Sequence, residues 1–236
     1  MVDNNQKLGK SQRGINMSNV VITGANRGIG FAMAKLFQAK GHQVFGLCRQ
    51  TSEQLSAIGA IVIEGIDVAT PQGITAMQSA LKDTAIDILI CNAGILRDEQ
   101  LGNINTDTIL EQFQVNALAP LVVADALHDK LAAGSKVAMI TSRMGSIADN
   151  GSGGRYGYRM SKAALNAASM SLAKDLANEN ISVGIYHPGY VQTDMVNHGG
   201  DISADECAKR LVNLIESQEM GDSGTFRHSN GEILPW

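Results

Sequence analysis

The chain has 236 residues, 44% of them hydrophobic, and a formal net charge of −4 at pH 7. That length and apolar fraction suit one compact domain with a real core. No basic cluster stands out, which argues against a nucleic-acid partner, and apolar runs such as IDILICNAGIL are broken by polar residues and too short to span a bilayer.

The first seventeen residues, MVDNNQKLGKSQRGINM, are polar and lack the apolar centre of a signal peptide. They are expected to form a flexible extension (1–17), with Met17 an alternative start, ahead of a single domain over 18–236. NVVIT (19–23) reads as a short buried strand. A helical pattern follows and stops at Gly41, a residue suited to a helix C-terminus. Strand 42–48, a short helix over 51–59 with a Ser or Thr cap, and strand 60–67 come next. A helix runs from Pro71 to about Leu81, and IDILICNAG (86–94) is a strand and turn. Residues 105–133 read as one long helix, capped near Asn105 or Thr106 and kinked at Pro120. Strand 136–142, helix 156–178, strand 181–189 and helix 203–217 complete the pattern. The strands are apolar on both sides and alternate with helices. This predicts an α/β fold, a doubly wound parallel sheet with helices on both faces. Nucleotide sites in such sheets lie at the carboxyl ends of the strands.

The three cysteines, Cys48, Cys91 and Cys207, form no CxxC pair, and the five histidines show no ligand spacing. A reducing, cytoplasmic setting is expected, with no metal site.

The first strand runs into TGANRGIG, with Gly24, Gly28 and Gly30 ahead of a helix and Asn26, Arg27 and Ile29 between them. Glycines there permit a tight turn and close approach of backbone to a phosphate at the helix N-terminus. The spacing is neither GxGxxG nor a P-loop. A simple strand-to-helix turn is the alternative. The second strand ends LCRQ, with Arg49 and no acid to hold a ribose diol. Arg27 and Arg49 together suit the additional phosphate of NADP(H); taken singly, each reads as a solvated surface arginine. Asp67, which ends the third strand, and Val68 after it are placed to meet an adenine ring, unless Asp67 merely caps the next loop. Asn92, Ala93 and Gly94 close the fourth strand, where Asn92 can tie neighbouring backbone and Gly94 lets a cofactor pass.

GGRYGYRMSKAAL (153–165) holds two tyrosines and a lysine. Lys162 is four residues after Tyr158, on the same helix face, whereas Met160 occupies that place relative to Tyr156. A nearby ammonium favours phenolate and is expected to lower a tyrosine pKa from its usual ~10. Alone, the pair reads as a surface coincidence. Ser142, at the end of the fifth strand, emerges at the same sheet edge and changes that reading. Asn116 is a polar residue among apolar neighbours, costly unless used; the plainer reading is an amide satisfied by backbone near Pro120. Pro188, Gly189, Val191 and Thr193 form a turn after the sixth strand, where Thr193 is placed to hold a carboxamide. Residues 197–205 form a short glycine-bearing loop expected to face substrate. Small residues on several faces of helix 156–178 permit close packing on two sides.

TGANRGIG, CNAG, VNALAP, TSRMGS, YRMSK and HPGYVQTD, in this order over 18–236, resemble the short-chain dehydrogenase/reductase family. DNGSGGRYGYRMSKAALNAAS is similar to the C-factor group and the sniffer-type carbonyl reductases, and its glycines lengthen the interval from Ser142 to Tyr158. The resemblance implies a Rossmann-type fold and hydride transfer between NADP(H) and a small carbonyl or alcohol. Tyr158 would exchange the proton, with Lys162 tuning it and holding the nicotinamide ribose. Ser142 would bind the substrate oxygen. Asn116 would support a water relay from Lys162, and Pro188, Gly189 and Thr193 would fix the nicotinamide ring. The family resemblance also implies homodimers or homotetramers, and the C-factor group gives an alternative, a cofactor-binding regulator with vestigial catalysis.

Overall fold

The computed structural model describes residues 17–236; the expected extension lies outside them except for Met17. The elements in chain order are β1 (Asn19–Thr23), α1 (Gly28–Ala39), β2 (Gln43–Leu47), α2 (Glu53–Ala57), β3 (Ile61–Ile63), α3 (Pro71–Ala80), β4 (Ile86–Cys91) and α4 (Thr106–Phe113). Then come α5 (Ala119–Ala126), β5 (Leu131–Ile140), α6 (Tyr156–Asp175), β6 (Ser182–His187), β7 (Val191–Gln192), β8 (Ile202–Ser203), α7 (Ala204–Ser217) and β9 (Phe226–His228). The main sheet has seven strands in the order β3-β2-β1-β4-β5-β6-β9, all parallel.

Alternating residues of each strand feed opposite faces. Val20 and Ile22 pack with Met33, Phe37 and Leu211 from α1 and α7. Val21 and Leu89 pack with Met77, Val123 and Leu165 from α3, α5 and α6. Both faces are dry, which is why the strands lack polar alternation. The strand order reverses between β1 and its neighbours β2 and β4. The turns after β1 and β4 therefore lie side by side, the place where such sheets bind ligands.

Several caps follow the sequence closely. The Ser52 hydroxyl accepts from Leu55 N at 3.2 Å, Thr70 caps α3 ahead of Pro71, and Asn105 caps α4.

Other elements differ from expectation. The long helix over 105–133 ends at Ala126, a 3-10 turn covers His128–Lys130, and β5 begins at Leu131 rather than at residue 136. Alanine-rich LAAG has helical propensity, but pairing of Leu131 with Ile86 overrides it. The irregularity expected at Pro120 is a wide π turn over Gln114–Leu118, just ahead of the proline. β3 stops at Ile63, short of Asp67, because Gly65 turns the chain at φ 80°. Ser142 lies two residues past β5 and caps a 3-10 turn, accepting from Met144 N at 3.1 Å. β9 carries no periodic signal; it is three residues held beside β6.

Candidate active site

The glycine turn is built by backbone contacts. Gly24 and Gly28 have φ of 66° and 54°, a region that favours glycine. A Cβ on Gly30 would lie 2.2 Å from the Gly24 carbonyl and 2.5 Å from Asn92 Nδ2. Asn92 Nδ2 donates to Thr23 O at 3.0 Å and to Gly24 O at 3.3 Å. The buried Thr23 hydroxyl accepts from Asn92 N at 2.9 Å and Ala93 N at 3.1 Å. Asn92 ties the turns after β1 and β4 together, as its position suggested. Thr23 is the partner that the sequence reading passed over, although a threonine immediately before the first glycine was the available signal.

A cavity of about 550 Å³ opens along these turns, within the usual range for a bound small molecule. Its wall includes Gly24, Asn26, Arg27, Gly28, Ile29 and Gly30, then Arg49, Asp67 and Val68, then Asn92, Ala93 and Gly94. Tyr158, Lys162, Pro188 and Thr193 line it too. Gly189 and Val191 lie just outside, supporting the turn; Gly189 has φ 99° and Val191 is buried. A side chain at Gly94 would come within 3.2 Å of Asn116 Oδ1 and 3.8 Å of Lys162 Nζ. Glycine there leaves the space between those two atoms open.

Arg27 and Arg49 both line the cavity, and the segment that closes β2, Cys48–Arg49–Gln50, carries no acid. Arg27 also stands 3.7 Å from Asp194, but both side chains are mostly exposed, so the pair holds it weakly. Asp67 Oδ1 accepts from Ala69 N at 3.0 Å, so the residue caps its loop while facing the cavity.

The two tyrosines separate by burial. Tyr158 is 9% exposed and Tyr156 36%. Burial pushes the Tyr158 phenol above its usual pKa, while a hydrogen bond with Ser142 and the charge of Arg155 pull it back. The net direction is upward, and the groups that pull it back are Ser142 and Arg155, so the lowering expected from Lys162 is not found. Lys162 Nζ lies 5.9 Å from the Tyr158 ring centroid and donates to Ile140 O at 3.0 Å. Burial draws its pKa down to about 8.

Asn116 sits on the π turn, wholly buried. Its Oδ1 accepts from Ile95 N at 2.8 Å, and its Nδ2 donates to Ile95 O at 2.8 Å and to Ser161 Oγ at 3.1 Å. Ser161 in turn donates to Tyr158 O at 2.8 Å. The amide thus joins the strand-four loop to α6, with one Oδ1 lone pair left over.

Helix α6 starts without a side-chain cap of its own, from Arg155 in a left-handed conformation at φ 50°. Glu99 serves instead. Its carboxylate accepts from Gly157 N at 3.2 Å, from Thr108 Oγ1 at 2.7 Å and from Gln112 Nε2 at 2.7 Å. Its backbone oxygen accepts from Arg155 N at 2.8 Å. This acid is only 3% exposed. Nothing in its flanking sequence marks it, because its partners come from distant segments.

The loop expected to face substrate, 197–205, is pinned at its base by pairing of β7 with β8. Gln192 Nε2 also donates to Gly200 O at 3.2 Å. No helix among the described residues is long and apolar enough to cross a membrane.

A family model described as short chain dehydrogenase matches residues 18–201. The chain is 34% identical over 226 residues to the 1-hydroxy-2-glutathionyl-2-methyl-3-butene dehydrogenase of Rhodococcus sp. (strain AD45), covering 93% of this chain and 100% of that one. It is 40% identical over 154 residues to C-signal of Myxococcus xanthus, covering 64% of this chain and 93% of that protein. A carbonyl reductase from Pseudomonas aeruginosa PAO1, solved in complex with NADP, has a TM-score of 0.80 at 33% identity and covers 94% of this chain and 100% of its own.

Proposed function

The chain belongs to the short chain dehydrogenase family, and on that premise we propose a carbonyl reductase chemistry in which Tyr158 is the general acid or base. The protein is an NADP(H)-dependent oxidoreductase that moves a hydride between nicotinamide and a carbonyl or alcohol. The observation that carries the catalytic assignment is Tyr158 itself. It is a buried phenol at the wall of the glycine-turn cavity, its ring 5.9 Å from Lys162 Nζ and its acidity drawn back by the Ser142 side chain.

The residues fit the cofactor. Gly24 and Gly30 let the turn pack against itself and Asn92, and Gly28 at the start of α1 would let backbone approach a pyrophosphate at the helix N-terminus. Arg27 and Arg49 would hold the 2′-phosphate. Asp67 and Val68 would meet the adenine. Lys162 would hold the nicotinamide ribose, and Thr193 with the Pro188–Gly189 turn would fix the ring. Bound NADPH supplies the hydride.

In reduction, Tyr158 carries its proton at neutral pH as an ordinary phenol does, and burial disfavours the phenolate further. Ser142 holds the substrate oxygen against that proton. As the proton leaves, negative charge develops on the phenol oxygen, and the Lys162 ammonium and the Arg155 guanidinium stabilise it. Asn116 positions Ile95 and Ser161, and its spare lone pair faces the gap at Gly94 through which a relay water would reach Lys162.

NADPH and NADH turnover on a broad carbonyl panel tests the cofactor assignment. Arg49→Ala should raise KM for NADPH at least about tenfold, the scale of a charged hydrogen bond, while NADH turnover changes little. Equal loss with both cofactors would contradict the phosphate role.

The single domain over 18–236 assembles, on this reading, as a homodimer or homotetramer in the cytoplasm. Exposed apolar side chains on and beside α4 and α6, namely Leu110, Phe113, Leu118 and Met160, support assembly. Three free, buried cysteines support a reducing compartment. A regulatory role without turnover is the second reading, favoured by the likeness to C-signal. Retention of Ser142, Tyr158 and Lys162 together weighs against it.

A further inference from the structure

A second cavity, of about 800 Å³, lies between the loop after β4, the loop joining β5 to α6, and the first turn of α6. Its wall carries Arg143, Arg155 and Arg159 with Asp98, Asp149 and Ser152. Three guanidinium groups face two carboxylates, so one positive charge is left over. Arg143 Nε donates to Asp149 Oδ2 at 2.7 Å, and Arg155 Nε donates to Asp98 Oδ1 at 3.3 Å. These four side chains are each about one-third to one-half exposed, so the pairs are weak and free to re-form around an incoming anion.

Arg159 is different. Among the described residues no carboxylate pairs with it. Its Nε donates to Gly153 O at 3.3 Å and Gly154 O at 3.2 Å, one terminal nitrogen donates to Met144 O at 3.4 Å, and the other to Ser152 Oγ at 2.8 Å. Neutral oxygens hold the guanidinium still without cancelling its charge. A guanidinium carries five N–H donors. One hydrogen remains on each terminal nitrogen, the complement that a carboxylate accepts.

The position matters as much as the charge. Arg143 directly follows Ser142, and Arg159 directly follows Tyr158. Met144 gives its carbonyl to Arg159 and its N–H to Ser142 Oγ, so one residue fixes the cation relative to the proposed carbonyl site.

We propose that this cavity receives an anionic group of the substrate, that the substrate is a carbonyl compound bearing a carboxylate, and that Arg159 determines that preference. The inference rests on Tyr158 and Ser142 being the carbonyl site. It is tested with keto acids of several chain lengths, each against its methyl ester, by NADPH consumption with wild type, Arg159→Met and Arg159→Lys. The acids should exceed their esters in kcat/KM by about tenfold or more. Arg159→Met should erase that ratio chiefly through KM for the acids, with the esters little changed, and Arg159→Lys should restore part of it. Equal kcat/KM for acid and ester in the wild type would overturn the proposal while leaving the oxidoreductase reading intact. So would an equal loss on both in Arg159→Met, which would make Arg159 a loop staple. Absence of turnover on every acid and every ester would overturn both.

Discussion

Tyr156 and Tyr158 are two residues apart, and the helix turns them into different environments. The i,i+4 relation to Lys162 was enough to rank them from sequence, and burial agrees. Sequence spacing conveyed the neighbours of Tyr158 but not the dielectric around it. Desolvation raises the phenol and lowers Lys162, and neither effect is legible without the packed core. The consequence is a pH dependence. Carbonyl reduction needs the phenol protonated and the ammonium charged. The phenol keeps its proton past its ordinary range, so the lysine titrates first, at about 8. Reductive kcat/KM should therefore hold below that pH and fall as pH rises through it. A profile flat to well above pH 9 would show that the Lys162 charge is not required.

At the scale of elements, α6 depends on a carboxylate from elsewhere. Glu99 meets the first turn of α6 and, through Thr108 and Gln112, the body of α4. Removing it leaves buried donors without partners, which costs about 1–3 kcal/mol. Glu99→Ala should lower the urea midpoint by a corresponding amount, and Glu99→Gln should recover part of it; an unchanged midpoint in Glu99→Ala would refute the capping role. Local signals placed most elements well. Apolar runs gave β1, β2 and β4, and Asn105, Pro71 and Ser203 marked helix starts. The failures share a cause. The segment 105–133 reads as one helix because its composition is helical throughout, and only long-range pairing turns Leu131 into strand. β9 is short and unpatterned, so its neighbour β6 defines it. The Asn116 amide was visible as an oddity, but not the π turn that aims it at Ile95.

For the whole molecule, strand–helix alternation and apolar strands were sufficient for the doubly wound sheet, since both follow from covering two faces of a parallel sheet. The order of motifs along the chain then located the cavity at the strand ends. The second, arginine-lined cavity was not legible, because Asp98, Asp149 and Arg159 are ordinary charged residues until the loops fold over them. Assembly is a property of this scale too. Light scattering should give the mass of a dimer or tetramer, and a monomer at all concentrations would remove that part of the proposal. The central claim is that Tyr158, not Tyr156, exchanges the proton. NADPH oxidation should be followed at neutral pH with a carbonyl substrate for wild type, Tyr158→Phe and Tyr156→Phe. The account predicts a loss of about 100-fold or more in kcat for Tyr158→Phe with NADPH binding intact, and near-wild-type turnover for Tyr156→Phe. Turnover in Tyr158→Phe equal to the wild type would contradict it.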